Sequence, residues 1–155
     1  MRTPRQLSRS MCLRITFLTA LVFVTAVSGR AQSTSTSDSE RIVRAFVDAF
    51  NRHKADEMLQ LVTDDIQWVA IEGPKASVHL EGKPTLKREM EQYFHQCASC
   101  KSTLKWVQST GSRITALEEA SWMVNNVLTS QRSLSVYEFT EGRIARVFYF
   151  PVERE

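Results

Sequence analysis

The apolar pattern of this chain changes period at Cys100, and few folds accommodate such a change. Before it, apolar residues recur mainly at helical spacing, interrupted by one alternating stretch; after it, they alternate throughout. Ile42, Val43, Phe46, Val47 and Phe50 mark one helical face, introduced by Ser37 and Glu40 at capping-box spacing and ending near Asn51. A short second helix is expected over residues 56–62, stopped by Asp64-Asp65, after which Ile66, Trp68 and Ala70 alternate as a strand. Gly73-Pro74 reads as a turn and residues 78–81 as a short partner strand. Pro84 suits the first position of a third helix, whose Leu86, Met90, Tyr93, Phe94 and Cys97 share a face. Strands follow at 102–108, 113–125, 132–140 and 143–150, with tight turns at Gly111 and Glu141-Gly142. Helices first and long strands last predict an α+β fold. Its antiparallel sheet is too long to stay flat and should curl around the three helices.

The first 31 residues stand apart. Arg2, Arg5, Arg9 and Arg14 precede Ile15–Val27, an uncharged apolar run of 13 residues, and small residues follow up to Ala31. That layout is expected of a cleaved secretory signal, because the run is shorter than the roughly 20 residues that span a bilayer. The expected location is outside the cytoplasm, periplasmic or extracellular, with no membrane association after cleavage near Ala31. Five of the 20 basic residues and none of the 17 acids lie in this segment, so the remainder carries 15 against 17. The basic balance thus belongs to the signal and argues against nucleic acid as a partner. Residues 32–39 are polar and repetitive, a disordered spacer by composition. Residues 40–155 are long enough for one domain with one core.

The order of helix, short helix, strand pair, helix and long strands ending in VYEFTEGRIARVFYF resembles the nuclear transport factor 2-like superfamily, in its SnoaL-like branch. Phe50-Asn51, Thr63-Asp64-Asp65, Phe139 and Gly142-Arg143-Ile144 carry the resemblance. It implies a cone-shaped, cystatin-like arrangement in which the curved sheet and three helices enclose a pocket. It also implies catalytic positions that can be compared with this chain. The tyrosine and carboxylate base of ketosteroid isomerases fall on Phe46 and Ala70, and their second acid falls around Ser135. The aspartate of SnoaL-type polyketide cyclases falls on Pro151. Neither set is matched.

Other residues could still carry chemistry. His79 lies close in sequence to Glu72 and Glu81, the pairing from which a general base is built. Glu119 is the other candidate acid or base. His53 and His95 read as solvated helix residues. Trp68, Tyr93, Trp106, Trp122, Tyr137 and Phe148, with Arg146, are the candidate pocket lining; core filling is the commoner role for such aromatics in a domain of this size. Cys97 and Cys100 are the two cysteines beyond the signal. At a helix C-terminus, where the dipole raises thiol pKa, they read as a local structural disulfide rather than a redox motif. Labile thiols, or a metal shared with His95, are the other readings, although a closed zinc site needs a fourth ligand. No cofactor and no metal are expected.

The chain is therefore read first as an exported domain that binds a small apolar ligand in its cone and forms a homodimer through the sheet's outer face. The rival readings are an isomerase, dehydratase or cyclase using His79 or Glu119, and a dimeric interaction module without chemistry.

Overall fold

The computed structural model describes residues 36–152. The expected signal segment, 1–31, and most of the spacer lie outside the described residues. Three helices, α1 (Thr36–Asn51), α2 (Ala55–Gln60) and α3 (Lys83–Gln96), precede or interrupt six strands. These are β1 (Val62–Glu72), β2 (Lys75–Glu81), β3 (Lys101–Thr110), β4 (Arg113–Val124), β5 (Val127–Thr140) and β6 (Arg143–Tyr149). They form one sheet in the order β2-β1-β6-β5-β4-β3.

The sheet is mixed, which corrects the expectation of an antiparallel one. The β1–β6 pair is parallel, with Trp68 opposite Val147 and Ala70 opposite Tyr149. Every other pair is antiparallel. The last strand returns beside the first in the same direction, a long-range closure that no local pattern encodes.

Three further boundaries depart from the sequence reading. Helix α1 starts at Thr36, so the end of the expected spacer is helical, and Asp38 pairs with Arg41 one turn on. Asp64-Asp65 does not stop a helix; α2 has ended by Gln60 and both aspartates sit exposed within β1. The β4–β5 hairpin is longer than expected, and its two-residue turn is Asn125-Asn126, with φ of 49° and 65°. Positive φ at both central residues is the backbone of a primed hairpin turn, for which asparagine is among the few suitable residues without glycine's freedom.

Gly82 links the first strand pair to α3 at φ 80°, a conformation that disfavours a side chain, while its amide donates to Ile66 O at 2.8 Å. Helix α1 packs on β3, β4 and β6, and α3 on β1 and β2. Strand registers show which residues share the covered face. One row runs Trp68, Val147, Tyr137, Ile114; the next runs Ala70, Tyr149, Ser135, Ala116, Val107. These rows meet Val43, Phe46 and Ala49 of α1, Met58 of α2, and Leu86, Met90 and Phe94 of α3 in one core. Among the described residues no helix is long and apolar enough to cross a membrane.

Candidate functional site

The next row on the covered face pairs Leu104, Glu118 and Ser133, and Glu118 is an acid only 7% exposed. Burying a carboxylate costs several kcal/mol unless hydrogen bonds replace its hydration, about that order even after local relaxation. Here hydroxyls supply them. Tyr137 Oη donates to Glu118 Oε1 at 2.5 Å, and Ser135 Oγ donates to the same oxygen. Ser102 Oγ donates to Oε2 at 3.0 Å. Among the described residues no cation pairs with Glu118.

Strand geometry brings these donors together. Ser135 and Tyr137 alternate on β5, and Ser102 stands at the start of β3 on the far side of β4. Tyr149, opposite Ser135 on β6, completes the cluster through its phenol, which interacts with that of Tyr137. Burial, reinforced by the charge of Glu118, pushes both phenols well above the ordinary tyrosine range. They remain hydrogen-bond donors under all ordinary conditions. Aromatic groups frame the cluster: Phe46 meets Tyr137 edge-on at 6.5 Å, and Trp68 stacks on Tyr149 at 4.9 Å. Trp122, half-buried, lies on the same face of β4 four residues beyond Glu118.

Ser102 has a second setting. The side chain of Asn51, at the end of α1, accepts from Ser102 N and donates to Ser102 O, each at 2.7 Å. Strand β3 is a sheet edge, and Asn51 covers its open backbone groups as a neighbouring strand would. An open depression of about 300 Å³ lies along this seam, lined by Arg44, Val47, Asp48, Asn51, Ser102, Thr103 and Leu104. Ser102 thus stands between a solvent-open groove and the buried carboxylate.

The candidates from sequence divide by face. Trp68, Trp122 and Tyr137 lie on the covered face. Trp106, Arg146 and Phe148 lie on the outer face, where Arg146 sits over the Phe148 ring and pairs with Glu138 at 2.7 Å. These three therefore lie on the opposite face of the sheet from Glu118. Glu119 is also on the outer face, bound by Arg132 at 2.9 Å and Lys105 at 3.3 Å, and both cations hold its carboxyl below the usual range. Its neighbour Glu118 takes the inner position, because adjacent strand residues point to opposite faces. His79 is exposed at a β-bulge in the edge strand β2, where Leu80 pairs with Trp68 and Val78 with Val69; Glu72 is exposed as well. His79 and Glu119 are not brought together.

Tyr93 is 38% exposed, packs on Phe50, and donates to Cys100 Sγ at 3.2 Å. Cys97 and Cys100 form a disulfide just beyond α3. His95 is exposed, and among the described residues no cluster of His, Cys, Asp and Glu is arranged to hold a metal. His53 is not simply solvated. It stands two residues beyond α1 at φ 56°, stacks on Phe94 at 4.6 Å and bonds Cys100 O through Nε2 at 3.3 Å.

A family model described as a SnoaL-like domain matches residues 43–147. No curated protein matches the sequence. Among solved structures, an uncharacterised cystatin-fold protein from Novosphingobium aromaticivorans is 20% identical, with a TM-score of 0.63 over 74% of this chain and 97% of that one. A protein from Xanthomonas campestris pv. campestris, provisionally described as a polyketide cyclase, is 18% identical, with a TM-score of 0.59 over 76% and 93%. TerC, co-crystallised with polyporic acid, is 12% identical, with a TM-score of 0.60 over 72% and 89%. At these identities the likeness concerns the fold, a curved six-stranded sheet with three helices.

Proposed function

We infer that this chain, which belongs to the SnoaL-like domain family, binds a small, largely apolar ligand on the covered face of its sheet, with Glu118 as the polar group that orients it. One observation carries the reading: a buried carboxylate is held by three hydroxyls, without a cation, beside stacked aromatic rings. Apolar walls with a few convergent polar groups are the usual make-up of a ligand site. Oε1 already accepts two hydrogen bonds and Oε2 accepts one. Oε2 therefore retains an acceptor position for a ligand hydroxyl or amine. The test is a titration with planar aromatic compounds, followed by quenching of tryptophan fluorescence. Saturable one-to-one quenching supports the reading, and a flat response throughout the series contradicts it.

A specific observation favours a second reading, an isomerase, dehydratase or cyclase. The second acid of ketosteroid isomerases falls around Ser135, and Ser135 donates to an acid from the adjacent strand. Glu118 can thus supply the carboxylate from a shifted position, with Tyr137 as its hydrogen-bonding partner, in place of His79 or Glu119.

The outer face suits a homodimer. Among the described residues, no element covers Leu117, Leu134, Val136 and Phe148, which are half-buried there beside exposed Trp106 and the charges of Glu119 and Glu138. The N-terminal sequence and the disulfide both fit a protein that works outside the cytoplasm.

A further inference from the structure

We propose that the Cys97–Cys100 disulfide is a site of thiol–disulfide exchange with a dithiol, and that opening it releases the segment that holds Ser102 on Glu118. The exchange concerns residues outside the ligand reading; its consequence for a ligand rests on that reading. Four consecutive residues after α3 tie this segment to other elements. Ser99 Oγ accepts from Met123 N at 3.0 Å. Cys100 O is bonded by His53, just beyond α1. Lys101 Nζ donates to Asn51 O, and Ser102 is gripped by the Asn51 amide while its hydroxyl reaches Glu118. The disulfide closes the turn that starts this run, so it sets the path by which β3 enters the sheet.

The two sulfurs are not equivalent. Cys100 is 5% exposed, whereas Cys97 is only half-buried and is the more accessible of the two residues. A thiolate attacking Cys97 Sγ forms a mixed disulfide and expels Cys100 as thiolate. Tyr93 Oη, already 3.2 Å from that sulfur, donates to the leaving group, and burial keeps the phenol protonated. The second thiol of the dithiol then attacks the mixed disulfide and expels Cys97. The dithiol becomes a disulfide, its two thiol protons pass to Cys97 and Cys100, and two electrons have moved to the protein.

The test uses dithiothreitol on the purified protein, with thiol alkylation followed by mass spectrometry and hydrogen exchange at single-residue resolution. Reduction is expected to be complete without unfolding. The amides of Ser102 and Met123 should then exchange roughly ten-fold faster while Met58 in the core keeps its protection. Tyr93→Phe should slow reduction roughly five-fold through loss of one hydrogen bond to the leaving sulfur. A disulfide that resists excess dithiol, full reduction with Ser102 exchange unchanged, or exchange rising equally throughout the chain would each overturn the proposal. Because no ligand is present, failure of this test and failure of the ligand reading are distinguishable.

Discussion

The phenol of Tyr137 and the carboxylate of Glu118 meet at 2.5 Å on the covered face of the sheet, on adjacent antiparallel strands and diagonal in register. Tyr137 is fully buried, so neither water nor another route can replace its hydroxyl without moving the core. Together with Ser135 it orients the carboxylate and fills one oxygen, leaving the other for Ser102 and a ligand.

Tyr137→Phe should therefore lower stability by about 1–3 kcal/mol, the cost of leaving a buried acceptor short of a donor. Urea unfolding of the two proteins under identical conditions measures it. No change would mean that Ser135 and Ser102 alone satisfy the carboxylate.

Alkaline titration provides a second check. The phenols of Tyr137 and Tyr149 are pushed well above 10 by burial and by Glu118, so the folded protein holds these protons more tightly than the unfolded chain. A raised folded pKa contributes stability below the unfolded value that is lost as pH rises through the folded one. Stability should accordingly fall above about pH 10, the unfolded tyrosine value. Ultraviolet absorbance should show Tyr137 and Tyr149 ionising together with unfolding, not before it.

Asn51→Ala should expose the edge of β3 and cost about 1–3 kcal/mol, because two backbone groups of Ser102 lose their partners. Hydrogen exchange should localise the effect to Ser102. Asn51→Asp keeps the acceptor for Ser102 N and should recover part of the loss.

His79→Ala should leave both folding and ligand binding unchanged, since the side chain is exposed on an edge strand away from the Glu118 cluster. Thermal unfolding and the fluorescence titration together check this.

Periodicity made much of this molecule legible. The switch at Cys100, the capping pattern before Ile42, Pro84, Gly111 and Glu141-Gly142 mark helices and hairpins close to where they stand. Three features are not legible. The parallel pairing of β1 with β6 depends on the whole sheet closing. The Asn125-Asn126 turn carries neither glycine nor proline, so the hairpin tip reads as loop. Most consequentially, β4 alternates ambiguously. Ile114, Ala116 and Glu118 share one face and Thr115, Leu117 and Glu119 the other, and either set could pass for the core side. Glu119, the outward acid of the pair, lies one residue along and on the opposite face from the inward Glu118. The missing signal was in the neighbouring strand: Ser135 and Tyr137 offer two hydroxyls that an inward acid would need.

That one-residue distinction gives the most direct test of the account. Ligand binding should be measured by fluorescence titration for the wild type, Glu118→Gln and Glu119→Gln, with circular dichroism to confirm folding. A saturable ligand is expected, with affinity at least roughly ten-fold lower in Glu118→Gln, as for loss of a charged hydrogen-bond acceptor, and unchanged in Glu119→Gln. Equal affinity in a folded Glu118→Gln protein, or loss confined to Glu119→Gln, would contradict it.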